Sequence, residues 1–252
     1  MDYSVAVEFK DVSFQYQHGS KDFIMKDINF SIPQGTKFAI AGPNGAGKTT
    51  LLKMIVGLNI PIKGEVRVFD KIVDKENLDE IREEVGFVFQ NPDNQVFATT
   101  VFEDVAFGPR NLGLPENEVE EIVHDALTKM GMEEWKDFSP FNLSFGQKKR
   151  VAIAGVLAMN PKILIFDEPF ANLDLPTTIA LIKLLNEITQ EKGLAILFAS
   201  HDQRYHEWSE NLLVLNRGKM IFCGPTSEGM QNQMVKEALG DPSELDELLG
   251  TL

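Results

Sequence analysis

The segment Gly42-Pro43-Asn44-Gly45-Ala46-Gly47-Lys48-Thr49 places glycines at fixed offsets ahead of a lysine and a hydroxyl. Glycines let the backbone curl tightly enough for successive N–H groups to point at phosphate oxygens. A helix starting at Lys48 adds its positive N-terminal end to the same site. Lys48 brings a point charge to the outer phosphates. The hydroxyl of Thr49, with Thr50 beside it, is placed to coordinate the Mg2+ that travels with a nucleotide. The apolar strand Phe38-Ala39-Ile40-Ala41 runs directly into the loop. Strand, loop and helix in that order imply a nucleoside triphosphate site.

A second chemical element is Ile163-Leu164-Ile165-Phe166 followed by Asp167 and Glu168, four apolar residues ending in two carboxylates at a strand tip. Two acids there can divide the work of phosphoryl transfer. Asp167 holds Mg2+ through its water shell, and Glu168 orients and polarises the attacking water.

These groups need a sheet to carry them. Short alternating segments, Val5 to Phe9, Val12 to Tyr16, Ile28 to Ile32, Glu65 to Phe69 and Val85 to Phe89, predict a partly antiparallel sheet. A buried strand ending at Gly42 and a helix from Lys48 to Val56 are set into it. From Thr99 to Gly155 the pattern turns helical, and Val119, Ile122, Val123, Ala126, Leu127 and Met130 form one stripe over 117–130. Pro92, Pro109, Pro115 and Pro140 mark expected helix boundaries there. Strand, helix and strand over 163–166, 176–191 and 195–199 imply a parallel sheet. Strands 212–215 and 219–222, joined by Asn216-Arg217-Gly218, read as a closing hairpin. Beyond Gly224-Pro225 the chain reads as acidic and loop-like, with a short amphipathic helix or a solvated tail over 242–249.

The chain has 252 residues and a formal charge of −14, from 24 basic and 38 acidic side chains. That balance argues against a nucleic-acid partner, since phosphate contacts come from clustered Lys and Arg. The first residues carry no export signal and the longest apolar stretch, 151–159, is too short to span a bilayer, so a soluble, intracellular chain is expected. The single cysteine, Cys223, reads as a small packed residue. His18, His124 and His206 show no ligand spacing, which leaves nucleotide-bound Mg2+ as the expected metal.

Between loop and acid pair lies Leu143-Ser144-Phe145-Gly146-Gln147, and with it the chain resembles the ATP-binding-cassette family along nearly its whole length. The resemblance implies an α/β P-loop NTPase core with a mixed sheet, an antiparallel β subdomain and an inserted helical subdomain. It implies a nucleotide-binding domain over 1–225, its helical part at about 91–155, and an acidic C-terminal extension over 226–252. Tyr16 would stack on adenine, Gln90 would touch metal and water, and His201 would contact the γ-phosphate. Ser144, Gly146 and Gln147 would meet the γ-phosphate of ATP bound by a second subunit, and Asp174, in the loop Ala171-Asn172-Leu173-Asp174, would link the two. A hydroxyl and a bare backbone at a helix start do make an anion site. One phosphate loop and one signature per chain require a second ATPase subunit, as a homodimer or with a paralogue. Two departures stand out: Phe145 replaces the first glycine of the usual Leu-Ser-Gly-Gly-Gln, and Phe170 stands where a small threonine often follows Asp-Glu-Pro.

The run Gln90-Asn91-Pro92-Asp93-Asn94-Gln95-Val96-Phe97, then Val101 to Pro109 and Gln147 to Gly155, is similar to the ATPases of energy-coupling-factor importers, especially the cobalt and nickel branch. That likeness implies a peripheral subunit on the cytoplasmic face of the cell membrane, with an integral membrane scaffold and a substrate-binding membrane subunit as partners. It also implies docking by Asp93 and Glu103 onto arginines of the scaffold. A vitamin importer of the same group is the alternative, and a soluble cassette of the chromosome or repair type is a further one. The latter would carry a coiled coil between loop and signature, and no heptad run occurs there. A small-molecule P-loop kinase would need neither signature nor switch histidine.

Overall fold

The computed structural model describes residues 4–16 and 24–241. The chain divides into two compact units, Met1–Leu78 with Ala195–Leu252 and Asp79–Leu194.

The first unit opens with β1 (Val5–Phe14), β2 (Met25–Pro33), β3 (Lys37–Ala41), α1 (Lys48–Ile55), β4 (Lys63–Val68) and β5 (Lys71–Ile72). Strands β2, β1, β4 and β5 form an antiparallel sheet in that order. The sequence predicts two strands across 5–16, whereas β1 is one strand with an irregularity between Phe9 and Val12. Asp11 takes a left-handed φ of 50° there. Its N–H donates to Asn29 Oδ1 at 2.8 Å while Asn29 Nδ2 donates to Asp11 Oδ1 at 3.0 Å, so side chains replace the lost ladder bonds. Phe9 stacks on Phe30 at 4.7 Å beneath this sheet.

The second unit contains most of α2 (Leu78–Glu84), then β6 (Val85–Val88), α3 (Val101–Asn111), α4 (Glu116–Lys129), α5 (Phe145–Ala158), β7 (Ile163–Asp167) and α6 (Leu175–Lys192). The segment at 85–89, grouped by sequence with the strands of the partly antiparallel sheet, lies apart from them as β6 and pairs parallel with β7. Gly86 allows it: a Cβ there would lie 2.2 Å from Val156 Cγ1 of α5. Helix α4 buries Val119, Val123, Ala126 and Leu127, the stripe read from the sequence, with Ile122 half-buried. Pro109 corrects one boundary, because it lies inside α3 rather than at its end. The preceding residue, Gly108, has no Cβ to clash with the proline ring, so the helical region stays open to it. Pro115 does cap α4, and Pro92 and Pro140 begin single 3-10 turns.

The first unit resumes with β8 (Ala195–Ser200), β9 (Asn211–Asn216), β10 (Lys219–Pro225) and short helices α7 (Thr226–Gly229) and α8 (Gln233–Leu239). Strand β3 runs parallel to both β8 and β9, and β9 pairs antiparallel with β10, giving a mixed sheet. All six residues of β8 are buried, as a parallel strand covered on both faces requires. Arg217 and Gly218 both take positive φ in the β9–β10 turn, 48° and 73°. The helices after Pro225 depart from the loop reading; Asn232 caps α8 through Met234 N at 2.9 Å. The segment 242–249 lies outside the described residues. Cys223 corrects another expectation, being exposed on β10 rather than packed, although partial covering of its thiol pushes its pKa up.

Candidate functional site

In the first unit the phosphate loop joins β3 to α1. Gly42 has φ 152°, and a Cβ on it would lie 2.3 Å from the carbonyl of Leu215 in β9. Gly47 has φ 107°, and its Cβ would meet Met25 Cε at 2.8 Å. The Leu215 carbonyl forces glycine at the start of the loop, and at Gly47 the left-handed φ does so, since the methionine tip beside it can move. Pro43, Asn44 and Gly45 are exposed, Ala46 is buried, and Ala46 N donates to Pro43 O at 3.1 Å. Lys48 is buried, and its Nζ donates to Gly42 O at 2.7 Å and Pro43 O at 3.3 Å. Thr49 is half-buried in the first turn of α1. Thr50 Oγ1 lies 3.1 Å from Tyr16 Oη, which ties the end of the β1 segment to the helix start.

The Tyr16 ring is 45% exposed and sits edge-on to Phe14 at 4.9 Å. It borders an open depression of about 890 Å³ that also includes Leu58, Asn59, Ile60 and Ile62. A flat aromatic face beside apolar side chains suits a heteroaromatic ring. His201 follows β8 and is exposed. The next residue, Asp202, has its carboxyl held below the usual range, first by the Arg204 guanidinium.

In the second unit β7 ends in the acid pair. Asp167 and Glu168 are both buried, and Glu168 has a left-handed φ of 54°. The carbonyl of Glu168 accepts from Lys149 Nζ at 2.7 Å. Lys149 is 1% exposed, and burial pushes its pKa down to about 8 while the charges of Glu168 and Asp167 act against that fall.

Helix α5 begins in a reciprocal cap. Gln147 N donates to Ser144 Oγ at 3.3 Å, and Ser144 N donates to Gln147 Oε1 at 2.9 Å. Ser144 Oγ thereby serves as an acceptor within the helix, and its O–H is the group that can reach a phosphate. A Cβ on Gly146 would meet Leu173 Cδ2 at an ordinary 3.7 Å, so its own unit does not demand glycine there. Bare backbone at that position leaves room for an approach from outside. Phe145, the bulky departure, lies with its ring centroid 6.0 Å from Lys149 Nζ. Phe170 is buried. Asp174 caps α6 through Thr177 N at 2.8 Å, and Thr177 holds its carboxyl below the usual range.

Gln90 is exposed just beyond β6. Gln95, which sequence reasoning did not single out as a site residue, accepts from Phe89 N at 3.0 Å and donates to Phe87 O at 3.2 Å, stapling the strand end that carries Gln90. Asp104 Oδ2 likewise accepts from Phe97 N and Ala98 N, each at 2.8 Å. Asp93 is paired with Lys148 at 2.7 Å and Glu103 with Arg110 at 2.5 Å, so both acids proposed for docking already hold partners in the chain.

Among the described residues no group of three or more His, Cys, Asp or Glu forms a metal cage. Thr49, Gln90 and Asp167 are oxygen donors, the set expected for Mg2+ carried mainly by phosphate and water. No helix among the described residues is long and apolar enough to cross a membrane.

A family profile described as ABC transporter matches residues 25–171. The energy-coupling factor transporter ATP-binding protein EcfA of Methanothermobacter thermautotrophicus is 45% identical over 225 residues, covering 88% of this chain and 71% of that one. Its namesake from Methanocaldococcus jannaschii is 46% identical, covering 88% and 80%. Among solved structures, CbiO1 from Clostridium perfringens, described as part of the ABC transporter complex CbiONQ, aligns with TM-score 0.82 and 38% identity over 98% of this chain and 99% of that one. The cassette MJ0796, in a dimeric post-hydrolysis state with ADP and Pi, aligns with TM-score 0.80 and 30% identity over 87% and 98%. The fold and phosphate loop define an ATP-binding-cassette ATPase. The chain belongs to the ABC transporter family, among the ATP-binding proteins of energy-coupling factor transporters.

Proposed function

We propose that this ATPase energises import through a membrane transporter of the energy-coupling-factor type, with cobalt or nickel ions as cargo. The observation that carries the cargo is the near full-length likeness to CbiO1 of a CbiONQ complex, at 38% identity. The run from Gln90 to Pro109 supports the same branch.

In this reading the loop N–H groups from Gly42 to Thr50 and the Lys48 ammonium bind the β- and γ-phosphates, and Tyr16 stacks on adenine. Thr49, Gln90 and Asp167 would hold Mg2+, which when bound neutralises charge on the outer phosphates. Glu168 orients and polarises water, with His201 and Gln90 contacting the reacting end. Ser144, Gly146, Gln147 and Asp174 serve the nucleotide bound by a second copy or a paralogue, so turnover needs two ATPase subunits. The nucleotide-binding domain spans 1–225, with its helical part at about 91–155, and the residues from 226 form an extension. The subunit works peripherally at the cytoplasmic membrane face, on a scaffold and a substrate-binding membrane protein.

Co-purification from native membranes, joined to uptake of radiolabelled cobalt, nickel and vitamins in cells lacking the chain, tests this. Loss of cobalt or nickel uptake is expected. Loss of vitamin uptake alone moves the cargo to the vitamin group, and recovery apart from any membrane protein refutes the transport reading.

A further inference from the structure

We propose that Lys149 is a positioning residue for ATP hydrolysis, fixing the main chain of Glu168 and thereby aiming its carboxylate. The proposal rests on the reading of Glu168 as the group that polarises water.

Lysine is almost never fully buried without a reason, because its ammonium must give up water. Lys149 is 1% exposed, and its Nζ is committed to one main-chain carbonyl, that of Glu168, at 2.7 Å. That carbonyl is special on two counts. It belongs to a residue with φ 54°, a left-handed backbone that a non-glycine holds only when its surroundings impose it. It also belongs to the peptide unit shared with Pro169, which has no N–H. The carbonyl is therefore the only hydrogen-bonding group by which this peptide plane can be held. Ala171 N also donates to it, at a long 3.4 Å.

The plane after Glu168 and its φ together fix the direction of its Cβ, and so the reach of its carboxylate. β7 buries all five of its residues and holds the approach to Glu168 rigid from the N-terminal side. Lys149 supplies the restraint on the C-terminal side. An apolar side chain of the same length would fill the space without restraining the carbonyl, which separates positioning from packing. The lysine also stands on the helix capped by Ser144, about one turn beyond Gly146, so the signature and the anchor of Glu168 move as one element.

The test uses the purified full chain. Lys149→Met keeps an unbranched apolar chain, one atom shorter than lysine's, and removes the donor; Lys149→Gln, of the same length as Met, carries an amide that ends one atom short of the ammonium; Lys149→Arg keeps a charged donor. The Met and Gln variants are expected to lose about ten- to a hundredfold in kcat, the effect of misplacing a reacting group by an ångström. KM for ATP and nucleotide affinity should stay within about twofold, and Lys149→Arg should recover most of the rate. A folded Met or Gln variant with normal kcat overturns the proposal. So does a loss seen in ATP affinity and melting temperature instead of kcat, or failure of both variants to fold, since either marks a packing role. Glu168→Gln, run in parallel, separates the two ideas. If it hydrolyses normally, the underlying reading of Glu168 fails. If it is inactive while Lys149→Met is normal, only the positioning role fails.

Discussion

The ammonium of Lys48 reaches back across its own loop to the carbonyl of Gly42, 2.7 Å away, so the loop's first glycine and its lysine close a ring. The ring holds the charge at the mouth of the loop rather than out in solvent. A lysine kept buried this way has little side-chain freedom left to lose if it meets a phosphate.

Lys48→Ala should therefore abolish hydrolysis, by at least about a hundredfold, as loss of one charge-stabilising donor does in other enzymes. Nucleotide affinity should fall with it. Steady-state phosphate release, alongside titration with a fluorescent ATP analogue, gives both readings.

Glu168→Gln should keep ATP binding and stop turnover, since the amide preserves size but cannot polarise water as a carboxylate does. The variant should persist as an ATP-bound dimer. Gel filtration with Mg-ATP is the check: a variant that remains monomeric while the unaltered chain dimerises would speak against the two-subunit arrangement.

Asp104 is nearly buried, and desolvation raises its pKa despite the N–H groups of Phe97 and Ala98 that favour its charged form. A folded-state pKa above the unfolded one means that the stabilisation from this group is full below the ordinary aspartate pKa. It is lost as pH rises through the folded midpoint. NMR titration of the Asp104 carboxyl should show a midpoint above the usual aspartate range. Asp104→Ala strands two N–H donors and should cost about 2–4 kcal/mol in urea unfolding.

Charge reversal at Asp93 or Glu103 should release the chain from an arginine-bearing membrane scaffold, with the nucleotide site left intact. Breaking an interfacial charge pair from one side typically costs about 2–5 kcal/mol. Because Asp93 also binds Lys148, and Glu103 also binds Arg110, neutral Asp93→Asn and Glu103→Gln are the fair comparison. Retention of both reversed variants on the scaffold, with normal cobalt and nickel uptake, would remove the docking role.

What the sequence revealed followed from local rules. The phosphate loop, the strand before the acid pair and the α4 stripe are each written within one element, where composition and period decide the outcome. The parallel pairing of β6 with β7 was hidden because Gly86 makes room for Val156, a residue far along the chain. The single β1 strand was hidden because Asn29, on the neighbouring strand, repairs the break at Asp11. At the site, motif residues were legible by type and spacing, while their supports were not. Lys149 reads as one more solvated charge in a Lys-Lys-Arg run, and only burial against Glu168 distinguishes it. Gln95 and Asp104 were equally silent, since their partners are main-chain groups that no side-chain pattern announces.

Cys223, exposed on β10, is the only cysteine in the chain. The protein thus comes with a single attachment point for a thiol-reactive spin label or dye, and no native residue has to be removed first. Because partial covering raises the thiol's pKa, thiolate is scarce near neutrality, and coupling will go fastest in mildly alkaline buffer. Two identical subunits would carry one probe each. A single interprobe distance, followed through ATP addition and hydrolysis, would then report the opening and closing of the pair in solution.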